Sequence, residues 1–260
     1  MIEGTIYDVS DGKILPYVHI GIKGTHLGTI SKDDGTFSME VDKDKQSSLL
    51  YLSLLGYGDT EIPISRMLNQ KVRIAMTPAP LKLNEVVVSN EGQKFKKVKV
   101  GNTNKTSTLT GKSGEEEFGW GGEWGILIPK QKNEFKINSV QFHLKHNTVD
   151  SILFRVHIHQ LKGDSEPIES NLLYSNYITS QKNNKWVTAD LSERNLWIDS
   201  DIAVTFEWVR IWYSKEGQNL IFFSNAKKGS GYPVIHRDNS FGVWHINKRP
   251  PPVIYINGIQ

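Results

Sequence analysis

His157 and His159 stand two residues apart, so on a strand their imidazoles share one face, and His143 on a neighbouring strand would lie at similar height. That is the sharpest arrangement for a metal in the sequence. Against it, Arg155 and Lys145 carry positive charge on the same face, and no carboxylate lies beside the pair in sequence. The expectation is exposed histidines on a β-sandwich and no metal site. Two Ser-x-x-Lys spacings, Ser10 to Lys13 and Ser224 to Lys227, would bring an amine to a hydroxyl on a helix, but neither lies in a helical pattern. Gly111-Lys112-Ser113 has the ending of a phosphate loop, yet Thr106 stands where that loop requires its first glycine. Glu115-Glu116-Glu117 offers carboxylates to calcium, although consecutive strand residues face opposite ways; Asp190, Asp199, Asp201 and Glu207 are scattered alternatives. Glycoside hydrolysis needs two carboxylates facing across a cleft, and no spacing establishes such a pair. No catalytic residue and no cofactor is expected.

Aromatic residues are the remaining chemical signal. Trp120, Trp124, Trp197, Trp208, Trp212 and Trp244 all fall in the expected second domain, with Tyr213, Tyr232 and Tyr255. Such rings stack on the apolar faces of sugars, while their polar edges take hydrogen bonds; the competing role is sandwich core. Ile202, Val204, Phe206 and Trp208 share strand parity, which makes Trp208 a core residue, with Trp212 continuing the same parity towards the strand end. Trp120 and Trp124 sit in the glycine-rich run 118–125, the composition of a bulged or exposed segment. Trp120, Trp124 and Trp212 are therefore the expected ligand contacts.

The elements that must carry these residues read as strands throughout. In the first 90 residues short β-type runs near 2–7, 17–23, 26–30, 36–41, 48–55, 59–63 and 70–76 alternate with turn dipeptides such as Asp11-Gly12 and Asp34-Gly35. Phe37, Met39 and Val41 alternate with Thr36, Ser38 and Glu40, as a half-buried strand requires. Beyond residue 100 longer strands are expected near 117–128, 135–146, 151–161, 185–190, 201–213, 219–225, 232–236, 241–245 and 252–257, with no helical period between them. The pattern predicts a sandwich over 1–90, a linker over 91–104 and a larger jelly-roll-like sandwich over 105–260. The basic run 94–99 reads as part of that solvated linker.

A formal charge of +3, with basic residues dispersed among acidic ones, gives no field for nucleic acid. The absence of cysteine excludes disulfides, thiol nucleophiles and Cys-ligated zinc. No apolar run approaches the ~20 residues that span a bilayer.

The phrases Gly4-Thr5-Ile6-Tyr7-Asp8, Gly12-Lys13-Ile14-Leu15-Pro16, Asp33-Asp34-Gly35-Thr36-Phe37, Leu54-Leu55-Gly56-Tyr57 and Leu83-Asn84-Glu85-Val86-Val87-Val88 resemble the carboxypeptidase-regulatory-like domain. The resemblance implies a prealbumin-like Greek-key sandwich of the kind that precedes many Bacteroidetes outer-membrane receptors and accompanies secreted proteins. It implies a place in the periplasm, at the outer-membrane surface or outside the cell, with the export signal absent from this sequence. Peptidase chemistry is not implied, because no His-x-x-Glu zinc pair occurs. Nor do 260 residues hold this domain together with a plug and barrel.

The expectation is an all-β, non-catalytic envelope or secreted protein. Its second domain would bind a glycan or a protein partner, and its first would act as spacer or docking module. Two other readings stay open: a hydrolase with a carboxylate-lined cleft in the second domain, and a purely structural or adhesin-like protein.

Overall fold

The computed structural model of the chain describes residues 1–79, 95–113, 120–162, 166–227, 231–247 and 250–260. The described residues are all-β apart from two single-turn 3-10 segments, and none forms a helix long and apolar enough to cross a membrane. The chain divides into two compact units. The first holds Met1–Leu83 together with two stretches from far along the sequence, Glu117–Glu123 and Arg237–Val243; the second holds the remainder.

Seven strands build the first unit: β1 (Ile2–Asp8), β2 (His19–Gly21), β3 (Gly28–Ile30), β4 (Thr36–Met39), β5 (Leu49–Ser53), β6 (Thr60–Pro63) and β7 (Lys71–Met76). They form the sheets β4-β1-β7 and β3-β2-β5-β6. Every run expected as a strand in this region is one. Strand β1 alternates buried and half-buried positions along its length, so Ile2 and Ile6 enter the core with Phe37 and Ile74 of the same sheet. Ile20, Leu50 and Leu52 of the other sheet meet them. Most pairs are antiparallel, but β1 and β7 run parallel, from Glu3 opposite Lys71 to Asp8 opposite Met76. The Asp34-Gly35 turn that leads into β4 needs glycine: Gly35 has φ +69°, and a Cβ there would lie 2.9 Å from the Ile6 carbonyl oxygen.

Polar contacts fasten Arg237–Val243 within this unit, and Glu123 is tied to Arg237 in turn. Asn239 Nδ2 donates to the His26 carbonyl at 2.6 Å, and Ser240 Oγ donates to the Thr29 carbonyl at 2.8 Å. Arg237 donates to the Glu123 carboxylate at 2.5 Å, both side chains being buried. Phe241 packs near the rings of His19 and Tyr51, at 6.5 and 6.1 Å.

The second sandwich is built from β8 (Lys97–Gly101), β9 (Lys105–Ser113), β10 (Glu123–Ile128), β11 (Phe135–Asn147), β12 (Ser151–Lys162), β13 (Glu166–Gln181), β14 (Trp186–Asp190), β15 (Trp197–Ile198), β16 (Ile202–Trp212), β17 (Leu220–Ala226), β18 (Val234–Arg237), β19 (His245–Asn247) and β20 (Ile254–Ile259). One sheet runs β13-β12-β16-β10-β18-β19; the other runs β8-β20-β11-β17-β9, with β14 and β15 also paired to β11. Aromatic rings join the two layers. Phe142 of β11 stacks on Phe206 of β16 at 4.4 Å, and Phe206 stacks on Phe223 of β17 at 4.8 Å. Phe154 of β12 closes on Phe142 edge-to-face at 5.0 Å.

Three strands of five residues or more lie outside the sequence expectation. Lys97–Gly101, within the stretch read as solvated linker, is β8, an edge strand paired with β20. Its lysines alternate with valines, and Val100 is buried. The nine-residue β9 and the sixteen-residue β13 were also not expected; both lack a run of apolar residues long enough to announce them.

Candidate ligand-binding face

Of the three tryptophans expected at the ligand, the structure removes one. Trp124 is 8% exposed and belongs to the core, with Phe223 at 5.5 Å and Phe206 at 5.7 Å around its ring. The glycines that read as a bulge do not keep it outside: β10 pairs regularly with β16, Trp124 standing opposite Phe206 and Gly125 opposite Thr205. A Cβ at Gly125 would fall 2.0 Å from the Val204 carbonyl oxygen, so this glycine permits close strand approach. Trp120 lies in a turn and is half-buried. Trp212, at the end of β16, is 36% exposed and lies under the Arg210 guanidinium, 4.6 Å from ring centre to Cζ.

The histidines expected on the surface are buried as well. His157 and His159 are each 3% exposed, on the face of β12 opposite Phe154 and Val156. Arg155 on that face is engaged with Glu207 of β16 through two bonds of 2.9 Å, Nε to Oε2 and Nη2 to Oε1. His157 Nε2 lies 3.1 Å from the same Oε2. The carboxylate missing beside the histidines in sequence is thus supplied across the sheet, where register sets Arg155 opposite Glu207.

Ser10 and Lys13 are parted by neighbouring acids: Ser10 Oγ donates to Asp8 at 2.6 Å, and Lys13 Nζ to Asp11 at 2.5 Å. Ser224 meets His143 instead, Oγ to Nδ1 at 2.8 Å. The other ring nitrogen, Nε2, lies 3.2 Å from Lys105 Nζ. An ammonium can only donate, so Nε2 accepts and the ring proton resides on Nδ1, directed at Ser224. An imidazole in that state cannot remove the serine proton, which makes this pair unsuited to nucleophilic catalysis. Burial first, then the charges of Lys105, Lys185 and Lys145, push the His143 pKa down to about 4.

Around His143 the outer face of the β8-β20-β11 sheet gathers rings and amines. Strand β14 exposes Trp186, Thr188 and Asp190 and buries Val187 and Ala189. Trp186 stands opposite His143 in the β11–β14 register, and Tyr255 of β20 stands opposite Gln141. The Trp186 ring, 38% exposed, is braced edge-to-face by His143 at 4.6 Å and by Tyr255 at 5.6 Å. Tyr255 is itself held by its hydroxyl, which donates to Gln141 Oε1. Gly101 leaves room for this packing, since a Cβ there would lie 2.6 Å from the Tyr255 Cα. Lys105 Nζ sits 5.0 Å from the Trp186 ring centre and Lys99 Nζ 4.7 Å from that of Tyr255. The result is an exposed indole braced by two rings, with one amine over it and another over Tyr255.

Trp186 was not among the expected contacts, although strand parity was sufficient to find it. In Trp186-Val187-Thr188-Ala189-Asp190 the tryptophan keeps company with the two polar residues.

Comparison with known proteins bears on the first unit. Residues 2–88 match the family model of the CarboxypepD_reg-like domain. The domain therefore covers β1 to β7, as the sequence phrases implied. Over 247 residues the chain is 21% identical to "TonB-dependent receptor P3" of Formosa agariphila, an alignment that takes in 95% of this chain and 22% of that receptor. The chain thus spans about a fifth of the length of this curated relative. A solved structure, of infectious bursal disease virus Gx strain, aligns with 100% of this chain and 58% of its own at 8% identity and a TM-score of 0.27, a likeness too low to establish a shared fold.

Proposed function

We propose that this chain is a non-catalytic, cell-envelope-associated binding protein whose second sandwich takes a glycan on the Trp186 face, with the CarboxypepD_reg-like domain as spacer or docking module. The observation that carries it is the exposed Trp186 ring, locked between His143 and Tyr255 on a sheet surface. A stacking ring that loses no rotamer freedom on binding gives its full contact to the ligand. The envelope setting is supported by the CarboxypepD_reg-like match and by the similarity to a protein named as a TonB-dependent receptor. The absence of catalysis is supported by His143, whose proton faces the serine that it would have to activate.

Isothermal titration of the full chain against a panel of plant and host oligosaccharides tests this. Binding to at least one, weakened about tenfold by Trp186→Ala, is the expected result, a stacked ring contributing about 0.5–1.5 kcal/mol. Silence across the panel, or turnover of a glycoside or ester above buffer, overturns it.

A further inference from the structure

Resting on the glycan reading of the Trp186 face, we infer that the face selects acidic saccharides, those carrying carboxylate or sulfate groups. Lys105 Nζ lies over the Trp186 ring, 5.0 Å from its centre, so a saccharide packing against the exposed part of the indole would meet this amine. Lys185 immediately precedes Trp186 in the chain, and its amine donates to the Lys145 carbonyl at 2.9 Å. Lys99 lies over Tyr255, the ring that braces Trp186. Among the described residues none of these four amines forms an ion pair with a carboxylate of the chain. Lys105 bonds a histidine nitrogen where a neutralising acid would ordinarily stand. Burial is the first cause of the depressed His143 pKa, and the charges of Lys105, Lys185 and Lys145 add to it in that order. Asp190, the acid on the outer face of β14, stands four positions from Trp186 and accepts from the Ser192 amide at 2.9 Å. An anionic substituent would complete charge-assisted bonds that the protein leaves open, whereas a neutral sugar would have to strip water from the amines without that return.

The test titrates the full chain with three oligosaccharides of equal length: an oligogalacturonate, a sulfated galactan and a neutral galactan. They are measured at low and high salt, with the wild type and with Lys105→Met, Lys99→Met and Trp186→Ala. The expected result is that one or both acidic ligands bind at least about tenfold more tightly than the neutral one at low salt, and that high salt narrows the gap. Lys105→Met should narrow it too, by weakening the acidic ligands more than the neutral one, and Trp186→Ala should weaken every ligand that binds. The two acidic arms distinguish carboxylate from sulfate. If the neutral galactan binds as well as both acids and the lysine variants change nothing, charge selection is overturned while the stacking site stands. Acidic binding that Trp186→Ala leaves untouched is diffuse electrostatics and overturns the inference. If nothing binds, the glycan reading fails and the inference with it.

Discussion

Trp124 and Trp186 show how little a side chain's identity says about its role. Each is a tryptophan next to a glycine or lysine in a β-rich stretch, yet one is 8% and the other 38% exposed. Trp124→Ala should lower stability by about 3–5 kcal/mol, because the void would open between Phe206 and Phe223, and chemical denaturation measures it. Trp212→Ala, which removes an exposed ring and its Arg210 partner contact, should cost at most about 1 kcal/mol in the same assay. His143 carries a pH signature with a definite sign. Its folded pKa of about 4 lies below the unfolded value of 6.5, so acid favours the unfolded chain, which takes up the proton first. This residue's contribution is constant above the unfolded value and falls as pH drops from there through the folded value. Wild type should therefore lose melting temperature between about pH 6.5 and 4 more steeply than His143→Gln; parallel curves would show that the histidine is not held neutral. Parity in the sequence was enough to expose Trp186 and to bury Phe142 and Phe154. It could not bury His157 or His159, since their burial follows from a second covered face of β12 that no alternation reveals.

At the level of strands, the backbone ladder between β12 and β16 is reinforced by a carboxylate at 0% side-chain exposure held by a guanidinium at 3%. Removing one partner of such a pair is costlier than its formation was favourable, because the survivor keeps its charge without its bonds. Arg155→Met should lower stability by about 3–5 kcal/mol, and the double change Arg155→Met with Glu207→Leu should recover part of it, as a denaturation cycle would show. Equal losses in single and double variants would mean that the pair is dispensable. The seven strands of the first unit were legible because each is short, alternating and bracketed by turn residues. Strand β13 was not, since Ser, Asn, Thr and Tyr interrupt its apolar positions and Pro167 falls inside it, a placement that edge strands tolerate. The Arg155–Glu207 link was equally hidden. Fifty-two residues separate the partners, and only register brings them opposite.

For the molecule as a whole, composition and phrase resemblance gave the all-β class and the identity of the N-terminal domain, and family matching agrees over residues 2–88. Nothing linear marked Glu117–Glu123 and Arg237–Val243 as parts of the first unit. The fit of Arg237–Val243 there is close: a Cβ at Gly28 would lie 2.2 Å from the Ser240 carbonyl oxygen, and one at Gly21 2.7 Å from it. A fragment ending near residue 90 lacks the Asn239–His26 and Ser240–Thr29 bonds. Hydrogen exchange should find β2 and β3 less protected in that fragment than in the full chain; equal protection would show that the distant stretches add nothing.

Those stretches also impose an order in time. A ribosome extends a chain at roughly 5–20 residues per second, and N-terminal domains generally fold as they emerge. Here the strands of the first sandwich are made well before Arg237–Val243, which follows most strands of the second. For something on the order of ten seconds the nascent protein holds a sandwich whose β2–β3 hairpin waits for its final neighbour. The first sandwich is completed only after most strands of the second have been made, and until then the hairpin is a surface that a chaperone or protease would meet.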